Sequence, residues 1–247
     1  MHPDVVELLQ FYRSVTGTCA KRVLFDVLET LWNLNKDVTL CGVGYTDPFL
    51  DIYHKRDIKC IALQSAYSGI YTRSHDNHYL AALVHETELP LEDASQNHIL
   101  CAHLLEHTYS PDLFMGEISR VLSPQGEVIF IVPNRRGLWA RFEHTPFGSG
   151  QPYTISQLRH LCESHSLLIT EQTCALFFPP KDHPPIRLYV NLAEYIGRKS
   201  FLSHYGGVHI IKAVKRAYIP PKLHQPSLAD PIKILSGRLA PTTRKVT

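Results

Sequence analysis

Residues 127–132 read EVIFIV, set between Gly126 and Pro133. After Glu127 every position is apolar and most are β-branched, so a strand built from it has no face to offer water. Strands of that kind belong to sheets covered on both sides, and such sheets are mostly parallel. The runs VTLCGVG (38–44), IKCIAL (58–63), YLAALV (79–84) and HILCA (98–102) repeat the pattern. Helical spacing separates them. In SPDLFMGEISRVLSPQG (110–126) the apolar positions Leu113, Phe114, Ile118, Val121 and Leu122 share a face, with Ser110 as cap and Pro111 in the first turn. DPFLDIY (47–53) can open another helix, with Asp47 as N-cap and Pro48 at its first position. This alternation predicts an α/β fold, a mostly parallel sheet with helices on both faces.

Residues 4–34 carry helical spacing at Val5, Leu8, Leu9 and Tyr12, then at Val23, Leu24, Val27, Leu28 and Leu31. Gly17 is the expected break. The chain therefore divides into an N-terminal helical extension (1–35), a main domain (36–218) and a remainder (219–247). Within the main domain a polar, aromatic loop (133–153) precedes a helix (154–165), a strand (167–178), a helix around 186–200 and a last strand (208–218). The remainder holds five prolines, several basic residues and no periodicity, which reads as a flexible tail.

A net charge of +2 makes no case for a nucleic-acid partner. No stretch approaches the roughly 18–20 apolar residues of a membrane span, and MHPDVVELLQFYRS carries acids too early for a signal peptide. None of the six cysteines forms a CxxC pair, and Cys41, Cys60, Cys101 and Cys174 lie in or beside apolar runs. A reduced, cytoplasmic protein is expected.

CAHLLEHTYSPD (101–112) contains HLLEH, with His103 and His107 at the spacing of a zinc-peptidase helix. The pentapeptide directly follows a strand, and a fresh helix start follows it within three residues. It belongs at the carboxyl end of a strand, the edge where open α/β sheets bind ligands. No third ligand stands downstream, so no metal is expected.

LLEHTYSPDLFMGEISRVLSPQGEVIFIVPN resembles the second half of a class I S-adenosylmethionine-dependent methyltransferase domain of the broad "type 11" kind. Its marks are the LEH segment after a strand, the E-x-x-R-V-L helix and the P-x-G turn into the next strand. ELPLEDAS (88–95) is similar to the family's adenine-side loop, and the likeness extends over roughly residues 36–178. VPNRRGLWARFEHTPFGSGQPYTISQL (132–158) and the FYRSVTG start resemble a subgroup of uncharacterised alphaproteobacterial methyltransferase-like proteins. The resemblance implies a Rossmann-like methyltransferase fold with a seven-stranded sheet, S-adenosylmethionine as cofactor, and transfer of its methyl to an unidentified acceptor.

Three family features are altered. Leu40 stands where an acid precedes the glycine turn, and Thr46 replaces the third glycine of LCGVGYT; the end of the second strand offers Gln64 and Ser65 in place of a carboxylate; Asn97 replaces the acid before the fourth strand. Each loss removes a charge-assisted hydrogen bond worth about 1.5–3 kcal/mol. Glu86, past the third strand, can partly compensate. A catalytically inactive relative kept as a binding or interaction module is the competing reading. A nicotinamide dehydrogenase fits less well, since Asp47 stands where the third glycine of G-x-G-x-x-G belongs.

On this resemblance Gly42 and Gly44 floor the cofactor site, Gln64 lies at the ribose, and Glu86 and Leu89 lie along the adenosine unless they are a solvated acid and a core leucine. His103 faces the cleft, as a general base or only as a wall of the cofactor pocket. Asn134, Arg135, Arg136, Trp139, Arg141 and Tyr153 mark the long loop as an acceptor-binding segment. Its arginines and aromatics suit an acidic or phosphate-bearing acceptor, and a dimer contact or covering flap is the other reading.

Overall fold

The computed structural model describes residues 3–69, 79–180, 187–199 and 201–216. The expected tail, and the end of the expected last strand, lie outside them. Helices α1 (Val5–Arg13) and α2 (Val15–Leu31) lead into β1 (Thr39–Gly44), α3 (Asp47–His54), β2 (Lys59–Ser65), β3 (Leu80–Val84) and β4 (Gln96–Ala102). Then come α4 (Pro111–Val121), β5 (Leu122–Pro133), α5 (Ile155–Ser164), β6 (Leu167–Ala175), α6 (Arg187–Lys199) and β7 (Val208–Lys215). The seven strands form one sheet in the order β3-β2-β1-β4-β5-β7-β6. The first five run parallel, and β7 is antiparallel to both β5 and β6.

The apolar strand sequences follow from burial on both faces. Leu40, Leu100, Ile129 and Ile210 join one core, with Leu24, Leu28, Phe49, Leu50 and Val190 from α2, α3 and α6. Their neighbours Cys41, Ile99, Val128 and Ile211 join the other, with Phe114, Ile118, Leu158 and Cys162 from α4 and α5. Successive side chains point to opposite faces, so the central strands β1, β4 and β5 supply both cores and read as apolar runs. YLAALV, expected to be buried in the same way, forms the edge strand β3 and is exposed over Leu80–Leu83.

Several local expectations are corrected. The first helices break at Ser14, not Gly17. Ser14 is extended (φ −68°, ψ 163°); its N–H donates to Gln10 O and Phe11 O and closes α1, while its hydroxyl accepts from Gly17 N–H and opens α2. Gly17 instead allows close packing, since a Cβ there would lie 1.9 Å from Phe11 O. Thr46, not Asp47, occupies the cap position of α3, and Ser110 makes no side-chain cap to α4. The strand expected over 167–178 ends at Ala175, where Leu176 takes φ +65°.

His209 on β7 is buried, and its Nδ1 lies 3.3 Å from Cys174 Sγ. Burial, with a smaller repulsion from His204, holds its pKa down at about 4. The unfolded chain therefore takes up a proton before the folded one does, and stability falls as pH drops from about 6.5 towards 4. At pH 4.5 this loss amounts to about 2.5 kcal/mol. Urea unfolding at pH 7.5 and 4.5 should show it in the wild type and a smaller loss in His209→Gln; equal losses would exclude His209 as the cause.

Candidate functional site

β1 ends at Gly44, β2 at Ser65 and β4 at Ala102, so their carboxyl ends meet at one edge of the sheet. Gly44 (φ +85°) turns the chain there, and a Cβ on it would lie 2.3 Å from Ala102 O and 2.8 Å from Leu104 Cβ. Only glycine passes that point. Gly42 serves another purpose. The space of its missing side chain is taken by Thr46 and Leu50, so it lets α3 lie close on β1 and leaves no room there for a ligand.

Gln64 points from the end of β2 and donates through Nε2 to Asp47 Oδ2 at 2.5 Å. Asp47 also accepts from the Tyr79 hydroxyl at 3.3 Å. An acid therefore stands at the end of β2 after all, delivered by α3 instead of by the strand. It fixes the Gln64 amide so that Oε1 is left as a buried acceptor without a partner. Glu86 is buried and accepts from Ser65 Oγ at 3.5 Å, joining the same edge.

Leu89 is core, and the loop that carries it is tied to α4. Glu117 accepts from Leu89 N–H, and Arg120 donates to Leu89 O, Leu91 O and Asp93 Oδ1 at 2.6–3.0 Å. That is the structural use of the E-x-x-R pair: it anchors the 88–95 loop beside the sheet edge.

HLLEH starts one residue past β4 and is not helical. His103 takes φ +53°, and its ring is buried. Its Nδ1 faces Glu106 Oε1 at 3.5 Å, both side chains being 1% exposed. Its Nε2 lies 2.7 Å from the Tyr12 hydroxyl. Burial, then the neighbouring Tyr45 and Glu106, push the Tyr12 phenol well above its ordinary pKa, so it stays protonated and donates. With the Tyr12 hydroxyl donating to Nε2, the lone pair lies on Nε2 and the ring proton on Nδ1, on the side of Glu106, with which Nδ1 makes no hydrogen bond.

Tyr12 is the residue that the sequence places only in the core and the structure places on the site. It sits on the apolar stripe of α1, and α1 lies over the strand ends. Val5 N–H donates to Ser68 O at 2.9 Å, and the Tyr12 ring stacks on Tyr45 at 5.9 Å. Beneath them, among Val5, Gly44, Tyr45, Gln64, Ser65 and His103, remains a cavity of about 10 Å³, room for a single water.

The long loop departs most from expectation. Trp139 is fully buried, and its indole N–H donates to Phe178 O at 2.6 Å. Asn134 donates to His204 O and Gly206 O and accepts from Arg136 N–H, which uses its side chain in full. Tyr153 donates to Leu105 O. Tyr153 ties the loop to the 103–107 segment, while Trp139 and Asn134 tie it to Phe178 and to residues 204–206. Arg135, Arg136 and Arg141 are exposed and line none of the cavities described here.

Residues 41–130 match the family profile described as "Methyltransferase domain". The fold is that of a class I methyltransferase. A Thermotoga maritima S-adenosylmethionine-dependent methyltransferase, described as a possible histamine N-methyltransferase, shares it at TM-score 0.64 and 15% identity, over 86% of this chain and 96% of that one. A Haloferax volcanii methyltransferase complexed with the Trm112 activator shares it at 0.57 and 14%, over 82% and 93%. Streptomyces coelicolor geranyl diphosphate C-methyltransferase, solved with S-adenosyl-L-homocysteine, does so at 0.50 and 13%, over 76% and 74%. Among curated proteins, none matches this chain. S-adenosylmethionine is the cofactor expected of this methyltransferase fold.

The polar groups fit that cofactor, with Gly44 at the turn and the partnerless Gln64 Oε1 at the end of β2, where ribose hydroxyls need an acceptor. The space does not yet fit. A ligand of that size needs a pocket of about 300 Å³ or more, and α1 with Tyr45 fills it. The carboxyl edge of the sheet is covered by the N-terminal helix.

Proposed function

We propose that this chain is a cytoplasmic S-adenosylmethionine-dependent methyltransferase acting on a small-molecule acceptor. The observation that carries the reading is the meeting of Gly44, Gln64, Ser65 and His103 at the carboxyl edge of a sheet with the methyltransferase strand order. The free state of all six cysteines, five of them buried, supports a reducing location.

On this reading Gly44 lets the backbone approach the cofactor, Gln64 Oε1 accepts from its ribose, and Leu89 with Glu86 flanks its adenosine. The cofactor, when bound, supplies a methyl group activated on a sulfonium. This chain's own part is alignment, which contributes most to such a transfer, and acceptance of one proton. Glu106 faces the Nδ1 side of the His103 ring, and Nε2 points where the Tyr12 hydroxyl now sits. Once α1 lifts, an acceptor N–H or O–H takes the place of that hydroxyl and gives its proton to Nε2.

Calorimetric titration of the full chain with S-adenosylhomocysteine tests the reading. Micromolar binding is expected, weakened about tenfold in Gln64→Leu, which removes the acceptor. No heat up to millimolar ligand would sink it. Transfer of labelled methyl should then fall by roughly a hundredfold or more in His103→Asn, with a smaller change in cofactor affinity. A histidine that only walls the pocket would move both together.

A further inference from the structure

A second cavity, of about 800 Å³, lies against α1. Its walls include Glu7 and Phe11 of α1, Val15 at the start of α2, and Glu143, His144 and Pro146 of the long loop. The volume is that of a small-molecule site. We propose that it binds an organic ammonium ion and that this ion is the methyl acceptor; the second half of the proposal rests on the methyltransferase reading, the first does not.

The lining chooses the charge. Glu7 and Glu143 are its two acids, both exposed, and neither has an ion-pair partner among the described residues. No lysine or arginine is among the described residues that line it. The rest of the lining mixes apolar side chains with Gln10, hydroxyls and His144, so the two carboxylates are the only anionic groups among these residues, and they attract a cation and repel an anion. Phe11 and Pro146 give that cation an apolar body to lie on, and the face of an aromatic ring attracts ammonium. An acidic or phosphate-bearing acceptor, which the arginines of the loop suggest, finds its counter-charges elsewhere on the surface, not in this cavity.

Its place relative to the strand ends makes it an acceptor site. Phe11 precedes Tyr12, and the Phe11 ring lies 6.0 Å from Phe147, whose own ring lies 4.9 Å from His103. A single aromatic layer, Phe11, Tyr12 and Phe147, therefore separates the cavity from the His103–Glu106 pair. Gly150 lines the cavity, and its backbone packs against Glu106 O and His107 on the other side. Because Phe11 and Tyr12 both belong to α1, a displacement of α1 wide enough to admit cofactor would also open this partition. A protonated amine then gives one N–H proton to His103 Nε2. With cofactor bound, the amine's freed lone pair would take the methyl group, the S–C bonding pair staying on sulfur.

The test uses the full chain at low salt with benzyltrimethylammonium, which cannot be methylated, and phenylacetate as the anionic control. Calorimetry should show the cation binding and the anion not. Glu7→Gln and Glu143→Gln should each weaken the cation roughly fivefold, and 0.5 M salt should do the same to the wild type. Both positions are exposed, so matching thermal melts confirm that the variants fold. Binding of phenylacetate as tight as the cation, or unchanged cation affinity in the double variant, overturns the proposal. S-adenosylhomocysteine titrated into the same samples separates the two claims. If it binds and the cation does not, the cavity assignment fails and the methyltransferase reading stands. If the cation binds and it does not, the ammonium site stands and its role as acceptor falls.

Discussion

Gly44→Ala is expected to lower the unfolding free energy by about 4 kcal/mol, and the melting temperature by about 10 °C. Two costs combine. At φ +85° a Cβ strains the backbone. That Cβ also falls 2.3 Å from Ala102 O, a backbone atom held in the β1–β4 ladder, where Tyr45 N–H donates to the same carbonyl at 2.9 Å. Neither group can step aside without breaking the sheet edge. Gly42→Ala makes the informative contrast. Its Cβ meets the Thr46 side chain and Leu50 Cδ1, which can rotate, and its backbone is not left-handed. It should lose only about 1–2 kcal/mol. Urea unfolding of both variants orders them. A larger loss at position 42 would mean that the turn at Gly44 is softer than its geometry implies.

The fold was legible because its signal is local and repeated. Strands such as EVIFIV feed two cores at once, and that demand leaves no polar position to confuse the pattern. The ends of the elements were less legible, because they depend on single hydrogen bonds. Ser14 closes one helix and opens the next through its own backbone and hydroxyl, whereas Gly17, the more obvious breaker, is there for a close contact between helices. Asp47 looks like a cap and is instead the carboxylate that orients Gln64. A short polar residue at a helix start can bond to its own turn or to a neighbouring strand, and its identity does not choose between them.

The candidate site divides the same way. The places of Gly44, Gln64 and His103 at the strand ends are legible in the sequence, because each ends or directly follows an apolar run. The bonding within the long loop is not legible. Trp139 and Tyr153 read as exposed aromatics of a loop, yet they are fixed to Phe178 O and Leu105 O, carbonyls 39 and 48 residues away in sequence. Tyr12 is hidden for the opposite reason. Val5, Leu8 and Tyr12 are all buried on one stripe of α1, so a phenol bonded to a histidine 91 residues on is indistinguishable from a packed ring. The one available hint is chemical: a tyrosine in a stripe of aliphatics needs a partner for its hydroxyl.

Tyr12→Ala is expected to tighten cofactor binding by up to about a hundredfold. The closed position of α1 is held by the Tyr12 hydroxyl on His103 and by its ring against Tyr45, Phe49 and Phe11, with centroids 5.1–6.1 Å apart. Losing the ring and the bond costs the closed state about 3 kcal/mol. If only the open state admits cofactor, the apparent dissociation constant scales inversely with the fraction that is open, and that cost returns as affinity. Tyr12→Phe removes the hydroxyl alone. It should gain about fivefold while keeping the ring and the fold, so it carries the test even if the alanine variant is too unstable to titrate. Stopped-flow binding of S-adenosylhomocysteine supplies the direction. Faster association in both variants means that α1 competes with the cofactor for the strand ends. Weaker binding with faster release would reverse the assignment, since α1 would then clamp a bound cofactor, and Tyr12 would belong to the occupied site instead of the empty one.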